Sequence, residues 1–216
     1  VCDSLGEAHQ LGLVHRDIKP QNVMLSLDAS VGDWAVVFDF GLAKPLQPDA
    51  DSYQTAETIW AGTPMYMAPE QALGQKLDQR ADLFSVGRVM YQMLSGRPPF
   101  RAPTTVAVLK RVADDSPRPI QEIVTDAPDW LCEIISHLHA KDPDDRFSTA
   151  ADVSELLTRC LADLQAGRSP QYPSLTRSSA ETADDNCSKL SAYTLGRSSQ
   201  NRTLTVALVV GLLLVG

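Results

Sequence analysis

The sequence predicts an α+β fold, in which a mostly helical domain carries one small β-hairpin. Three observations lead to this prediction. Several segments place apolar residues at the spacing of a helix face, and two short apolar runs flank a turn. Of the 216 residues, 44% are apolar, which is enough for the core of one ordinary domain.

Charge and cysteine content exclude several classes of protein. The formal net charge is −8, which argues against a general nucleic-acid-binding role. The four cysteines are widely spaced and form no C-x-x-C pair, so we expect free thiols in a reducing compartment. His137 and His139 are two residues apart and would point in different directions on a helix, so we expect no metal site there.

The first part of the chain predicts a helix end followed by a hairpin. Residues 1–12 carry apolar side chains at helical spacing and end in a glycine. The apolar runs Val23–Leu27 and Trp34–Phe38 flank a turn-like stretch and predict the hairpin. Residues 39–77 are predicted to be irregular, and a stretch of this length without regular structure is usually functional or disordered.

Further helices are predicted at Asp78–Leu94, Thr104–Val112, Pro128–His139 and Ser148–Gln165. The first of these is the most apolar, and a Ser-Gly pair ends it. In the last, Ser148 is the expected N-cap, and Asp152 lies near the positive end of the helix dipole.

The C-terminal part of the chain has a different composition. Between Ala166 and Thr203, twelve of 38 residues are Ser or Thr, so we expect a disordered linker. Leu204–Gly216 is uncharged and predicts the start of a transmembrane helix, although a complete span needs about 20 apolar residues. Arg197 and Arg202 precede this run and favour a cytoplasmic side for the domain. A buried helix or strand of a further domain is the alternative.

Three short motifs follow one another in the predicted domain. Residues 15–22 read HRDIKPQN, residues 39–41 are Asp39-Phe40-Gly41, and residues 68–70 are Ala68-Pro69-Glu70. Each motif is weak alone, but this order, with a hairpin between the first two, is specific. The motifs resemble the catalytic loop, the metal-binding triplet and the end of the activation segment of protein kinases. The resemblance covers about residues 1–164 and is closest to bacterial receptor-type Ser/Thr kinases.

The resemblance implies a protein-kinase-like fold and assigns roles to single residues. Asp17 is the expected base that accepts the substrate hydroxyl proton, and Lys19 places a positive charge beside the transferred phosphoryl group. Lysine at this position is typical of Ser/Thr kinases. Asn22 and Asp39 are the expected Mg²⁺ ligands, since both offer hard oxygen atoms. Met24 is expected under the adenine of ATP, with a plain hairpin-core role as the alternative.

The activation segment is expected to run from residue 39 to residue 70. The resemblance implies that Arg16 binds a phosphate placed on Thr55 or Thr58, because a guanidinium and a phosphate form charge-assisted hydrogen bonds. Alternatively, these threonines are ordinary solvated hydroxyls. Thr63 lies in the part that resembles the segment under the substrate, and it is expected to bond to Asp17 and Lys19.

Other matching residues are expected to be structural. Glu70 and Arg146 correspond to an ion pair that ties the activation segment to the domain. Asp82 corresponds to a helix aspartate that accepts backbone N–H bonds from the catalytic loop. Phe84 stands where the family usually has Trp or Tyr.

The resemblance assigns residues 1–165 to the large, C-terminal lobe of a kinase, followed by the linker at 166–203 and the apolar run at 204–216. Both ends of the chain look cut, and the sequence has no glycine-rich phosphate loop and no V-A-I-K lysine. We therefore expect the small N-terminal lobe to lie upstream, and the 216 residues alone to be inactive. The expected substrates are ATP and Ser or Thr residues of proteins, at the cell membrane in a single-pass protein. A catalytically silent scaffold is the second hypothesis, and a P-loop nucleotide-binding module is the third, although the sequence has no P-loop.

Overall fold

A computed structural model describes residues 1–28, 32–40, 44–45 and 64–172. Within these ranges the fold is mostly helical with little sheet, which confirms the predicted α+β class. The helices are α1 (Cys2–Gln10), α2 (Pro69–Ala72), α3 (Arg80–Ser95), α4 (Thr105–Asp114), α5 (Asp129–Leu138) and α6 (Ala150–Gln165). The strands are β1 (Leu13–Val14), β2 (Val23–Asp28), β3 (Gly32–Val37) and β4 (Lys44–Pro45). Short 3₁₀ turns occupy Pro20–Asn22, Pro64–Tyr66, Ile120–Glu122 and Pro143–Asp145.

Helix α3 is the central element of the core. Residues 81–91 are all buried, so this helix contacts other parts of the protein on every side. Gly96 ends it in the left-handed conformation, with φ 74°. The helix begins at Arg80, two residues later than predicted, because the Asp78 carboxylate accepts the Arg80 N–H at 2.8 Å in the preceding turn.

The N-cap of α6 is Thr149, so the expectation of Ser148 was wrong. The Thr149 hydroxyl accepts the Asp152 N–H at 3.1 Å, and the Asp152 carboxylate accepts the Thr149 N–H at 2.9 Å. This reciprocal pair is a capping box, which requires the acidic residue three positions after the cap. Counting three positions from Ser148 leads to Ala151, which has no carboxylate.

The predicted hairpin is formed by β2 and β3, which pair antiparallel from Val23 opposite Val37 to Asp28 opposite Gly32. A second antiparallel pair joins β1 to β4, and β4 lies inside the stretch that was predicted to be irregular. Each of these two strands has only two residues, so no alternation of apolar and polar residues could reveal them. Helix α2 also lies in that stretch.

The last part of the chain is described only up to Tyr172. Helix α6 ends at Gln165, and the Tyr172 hydroxyl lies 2.6 Å from Nδ1 of His137 on α5. The remainder of the predicted linker and the apolar run 204–216 lie outside the described residues. None of the helices in the described ranges has the length and apolarity that crossing a bilayer requires.

Candidate active site

One buried carboxylate binds the backbone of the loop between β1 and β2. Asp82 on α3 is fully buried and accepts the N–H groups of His15 and Arg16, each at 2.8 Å. The Nε2 atom of His9 on α1 lies 2.9 Å from the same carboxylate. Three donors therefore converge on Asp82, which lies where the resemblance places it.

Arg16 adopts a backbone conformation that is uncommon for a residue with a side chain, with φ 69°. Its N–H is held by Asp82, and its carbonyl oxygen accepts the side-chain N–H of Gln71 on α2 at 2.9 Å. Such a conformation persists when the surroundings fix it on both sides. Burial lowers the pKa of the Arg16 guanidinium, and the Asp82 carboxylate opposes this effect.

His15 connects this loop to the end of β3. Its Nδ1 atom accepts the Asp17 N–H at 3.2 Å, and its Nε2 atom lies 2.9 Å from the Phe38 carbonyl oxygen. Because the carbonyl can only accept, the proton of the ring must be on Nε2. The His15 ring also packs against the Phe40 ring, with 4.6 Å between the centroids.

Asp17, Lys19 and Asn22 form one compact polar cluster. Lys19 Nζ lies 2.5 Å from Asp17 Oδ2, and Asn22 Nδ2 donates to the Asp17 carbonyl oxygen at 2.8 Å and to Oδ2 at 3.2 Å. Asp17 and Asn22 are buried. The proximity follows from the sequence, because the loop closes into the 3₁₀ turn Pro20–Asn22 and brings residue 22 back over residue 17.

Asp39 lies two residues beyond the end of β3 and is exposed, with φ 63°. The hairpin ties it to the loop, because the Phe38 N–H donates to the Asn22 carbonyl oxygen at 2.8 Å. Both Asn22 side-chain N–H bonds point at Asp17, so its amide oxygen is the atom that remains for a cation. One carboxylate and one amide oxygen fit Mg²⁺, which keeps several ligands from water and phosphates.

The described ranges contain no cluster of three or more His, Cys, Asp or Glu side chains arranged to bind a metal. Met24, expected under adenine or in the hairpin core, is 55% exposed, so it is not a core residue. Thr55, Thr58 and Thr63 lie outside the described residues.

Glu70 and Arg146 form a buried bidentate ion pair, with N–O distances of 2.7 and 2.8 Å. Arg146 also donates from Nε to Ala140 O, from Nη1 to Arg80 O and from Nη2 to Lys141 O. All five donors of this guanidinium are thus used. The pair fixes the N-terminal end of α2 to the body of the helical domain.

Sequence reasoning assigned no role to three residues that support this region, namely His9, Gln71 and Arg88. The first two bond to the loop or its anchor. Arg88 is buried in α3, and its Nη1 donates to the Met65 carbonyl oxygen at 3.0 Å. A charged residue in the middle of the long, largely buried helix α3 was the available signal for Arg88.

The helical domain thus holds a loop with Asp17, Lys19 and Asn22 next to the buried Asp82, beside a hairpin that is followed by Asp39 and Phe40. The sequence matches the family described as "Protein kinase domain" over residues 1–159. The chain therefore belongs to the protein kinase family.

Two similar proteins are bacterial. The chain is 36% identical over 183 residues to the serine/threonine-protein kinase PknB of Mycolicibacterium smegmatis, covering 84% of this chain and 28% of that protein. It is 40% identical over 163 residues to the serine/threonine-protein kinase Pkn1 of Myxococcus xanthus, covering 76% of this chain and 23% of that protein. The chain thus spans about a quarter of the length of these curated relatives.

Proposed function

We propose that the full-length protein transfers the γ-phosphate of Mg·ATP to Ser or Thr hydroxyls of protein substrates. The observation that carries this proposal is the cluster in which Lys19 and Asn22 both contact the buried Asp17 carboxylate. The similarity to named serine/threonine-protein kinases supports the substrate class.

In this proposal, Asp17 orients the substrate hydroxyl and accepts its proton. Lys19 sits beside the same carboxylate and offers positive charge to the transferred phosphoryl group. Phosphoryl transfer needs this kind of positioning and charge neutralisation more than covalent help from the protein. The Asp82 carboxylate accepts the N–H groups of His15 and Arg16, the two residues before Asp17, and so fixes the position of the loop for that task.

Asn22 and Asp39 would hold Mg²⁺ through their oxygen atoms. A cation held there would supply positive charge that offsets the negative charge of the phosphates. Met24, Leu25, Phe38 and Phe40 are exposed around the hairpin. Such exposed apolar side chains are suited to contact the adenine of ATP. Because the sequence has no glycine-rich phosphate loop and no V-A-I-K lysine, we also propose that the 216 residues alone do not transfer phosphate.

Arg16 is suited to bind a phosphate on Thr55 or Thr58, because its buried Nε has no hydrogen-bond partner in the described part of the chain. Thr63 would bond to Asp17 and Lys19. We propose that the protein is regulated by phosphorylation in this way.

We also propose a single-pass location in the cell membrane, with the kinase domain in the cytoplasm. The proposal rests on the uncharged run Leu204–Gly216 and on Arg197 and Arg202 before it. The linker predicted at residues 166–203 would join the domain to this run. Recovery of the full-length protein in the soluble fraction of lysed cells would argue against the anchor and leave the kinase assignment untouched.

The catalytic proposal is tested with Asp17→Asn in the full-length protein. A positioned general base contributes about 10²- to 10⁴-fold, so we expect turnover to fall at least about 100-fold. The affinity for Mg·ATP, measured by calorimetry, should change by less than about twofold. Asp114→Asn is the matched control, because Asp114 is exposed at the end of α4. Near wild-type turnover of Asp17→Asn would contradict the assignment.

A further inference from the structure

Three basic side chains alternate with two aromatic rings beneath the residues that end the activation segment. Lys141 Nζ lies 5.1 Å from the Phe100 ring centre, and the Arg88 guanidinium carbon lies 4.7 Å from the same ring centre. Arg88 also lies 4.6 Å from the Phe84 ring, which in turn is 4.7 Å from Arg146. We call these five residues the cation–ring stack. Each contact is within the range of cation–π attraction.

The stack has three positively charged side chains, and in the described ranges only one of them, Arg146, forms a salt bridge with a carboxylate. Arg146 is paired with Glu70, whereas Lys141 Nζ donates to the Val112 carbonyl oxygen. Within the described ranges, no carboxylate forms a salt bridge with Arg88. Burial and the nearby Arg146 lower the pKa of Arg88 to about 9, so its guanidinium still carries charge at neutral pH.

Arg88 is a poor choice for stability alone. It is 1% exposed, and its Nε and Nη2 atoms have no hydrogen-bond partner in the part of the chain that the structure describes. Leaving buried donors of a charged group unpaired is costly, and an apolar side chain of similar volume often stabilises such a site. The presence of a buried arginine at position 88 therefore needs an explanation other than stability, and the side-chain hydrogen bond that it makes suggests one.

That hydrogen bond reaches the turn Pro64–Tyr66. Arg88 Nη1 donates to the Met65 carbonyl oxygen at 3.0 Å, and one helical turn earlier the Ser85 hydroxyl donates to the Tyr66 carbonyl oxygen at 2.8 Å. Helix α3 thus holds two consecutive carbonyl groups of this turn. The turn directly follows Gly62-Thr63, which resembles the segment under the substrate.

We propose that Arg88 is a positioning residue that fixes the turn Pro64–Tyr66 through the Met65 carbonyl and thereby sets the affinity for the protein substrate. The inference rests on the proposed kinase function, because it assumes that this turn supports a bound peptide. The Phe84 and Phe100 rings pack against the guanidinium, with 4.6 and 4.7 Å between Cζ and the ring centres, and restrict its movement while Nη1 bonds to Met65. Arg88 acts through the turn and does not touch the phosphate or the base.

The kinetic test uses Arg88→Met in the full-length protein, since methionine fills similar space without a donor. We expect KM for a peptide substrate to rise at least about fivefold, because a hydrogen bond from a charged group is lost. KM for ATP should stay within about twofold. Lys141→Met is the matched control: it removes another cation of the stack, whose Nζ donates to Val112 and not to the turn, and it should leave KM for the peptide unchanged. Arg88→Lys, which keeps one charged donor, should restore part of the affinity.

A second readout does not depend on catalysis. The Met67 N–H donates to the Pro64 carbonyl oxygen at 3.4 Å across the turn. In Arg88→Met, this amide should exchange with deuterium at least about tenfold faster, while Lys141→Met should leave its exchange unchanged. If the wild-type protein transfers no phosphate, the proposed function fails, and the exchange of this amide still decides whether Arg88 orders the turn.

The inference is overturned if folded Arg88→Met has wild-type KM for the peptide and wild-type exchange at Met67. A purely structural Arg88 would change the melting temperature and neither of these. If Arg88→Met does not fold, Arg88→Gln decides by the same two readouts, because glutamine is two atoms shorter and cannot reach the Met65 carbonyl.

Discussion

Asp82 accepts hydrogen bonds from two consecutive backbone N–H groups and lies beside His9, all in a fully buried setting. Asp82→Ala would leave the N–H groups of His15 and Arg16 without their acceptor. An unpaired buried donor costs about 1–3 kcal/mol, so we expect the free energy of unfolding to fall by about 3 kcal/mol or more. Urea denaturation of the variant measures this.

Asp78→Ala is the control for that measurement. Asp78 pairs with Arg80 and accepts its N–H, but its side chain is 40% exposed, so we expect a smaller loss of about 1 kcal/mol. Equal losses in the two variants would show that Asp82 is no more than an ordinary helix residue.

At this scale, the sequence predicted the residues whose chemistry is local to a motif. Asp17, Lys19 and Asn22 lie within six positions, so a single loop brings them together. His9 and Gln71 were not predicted, because their partners are 73 and 55 positions away in the chain. Which distant residue meets a loop depends on helix packing, and no short pattern encodes that.

Among the helices, the capping box of α6 gives a direct comparison between neighbouring residues. Thr149→Ala removes the hydroxyl that accepts the Asp152 N–H, so we expect a loss of about 1 kcal/mol in the free energy of unfolding. Ser148→Ala, one position earlier and exposed, should change it by less than about 0.5 kcal/mol. The reverse order of the two effects would restore Ser148 as the cap.

The crossing of α3 and α5 gives a second comparison, between two glycines. A Cβ atom at Gly87 would lie 2.6 Å from Leu138 Cβ, so Gly87→Ala should destabilise the protein by about 1–3 kcal/mol. Gly6, inside α1, has no atom within 4 Å of its would-be Cβ. Gly6→Ala should therefore stabilise the protein by up to about 1 kcal/mol, through helix propensity alone. Thermal denaturation of both variants distinguishes packing from propensity.

The long elements were the predictable ones. In the described part of the chain, every helix of ten or more residues was expected from apolar spacing, because burial of a helix face imposes that spacing on the sequence. Their ends were less certain, since ends are set by single hydrogen bonds such as that of Asp78. The two-residue strands β1 and β4 and the four-residue α2 are too short to carry any periodicity.

For the domain as a whole, the cation–ring stack should make the free energy of unfolding depend on pH. Burial and repulsion from Arg88 lower the pKa of Lys141 to about 8 from its usual 10.5, while Asp114 and Asp115 act in the opposite direction. Between about pH 8 and pH 10.5 the unfolded chain binds more protons than the folded one, so the free energy of unfolding should rise with pH in this range. Lys141→Met should flatten this part of the stability curve measured by urea denaturation at several pH values. An unchanged slope would show that Lys141 does not carry it.

One helix holds both the loop that carries Asp17 and the turn Pro64–Tyr66. Asp82 and Arg88 are six positions apart on α3, which corresponds to about 9 Å along its axis. Because both segments are attached to the same helix, they move together when the domain fluctuates. The distance between them therefore changes little. The alignment between the proposed base and the proposed peptide support is then set by the geometry of one rigid helix. It does not depend on how two separate elements pack against each other.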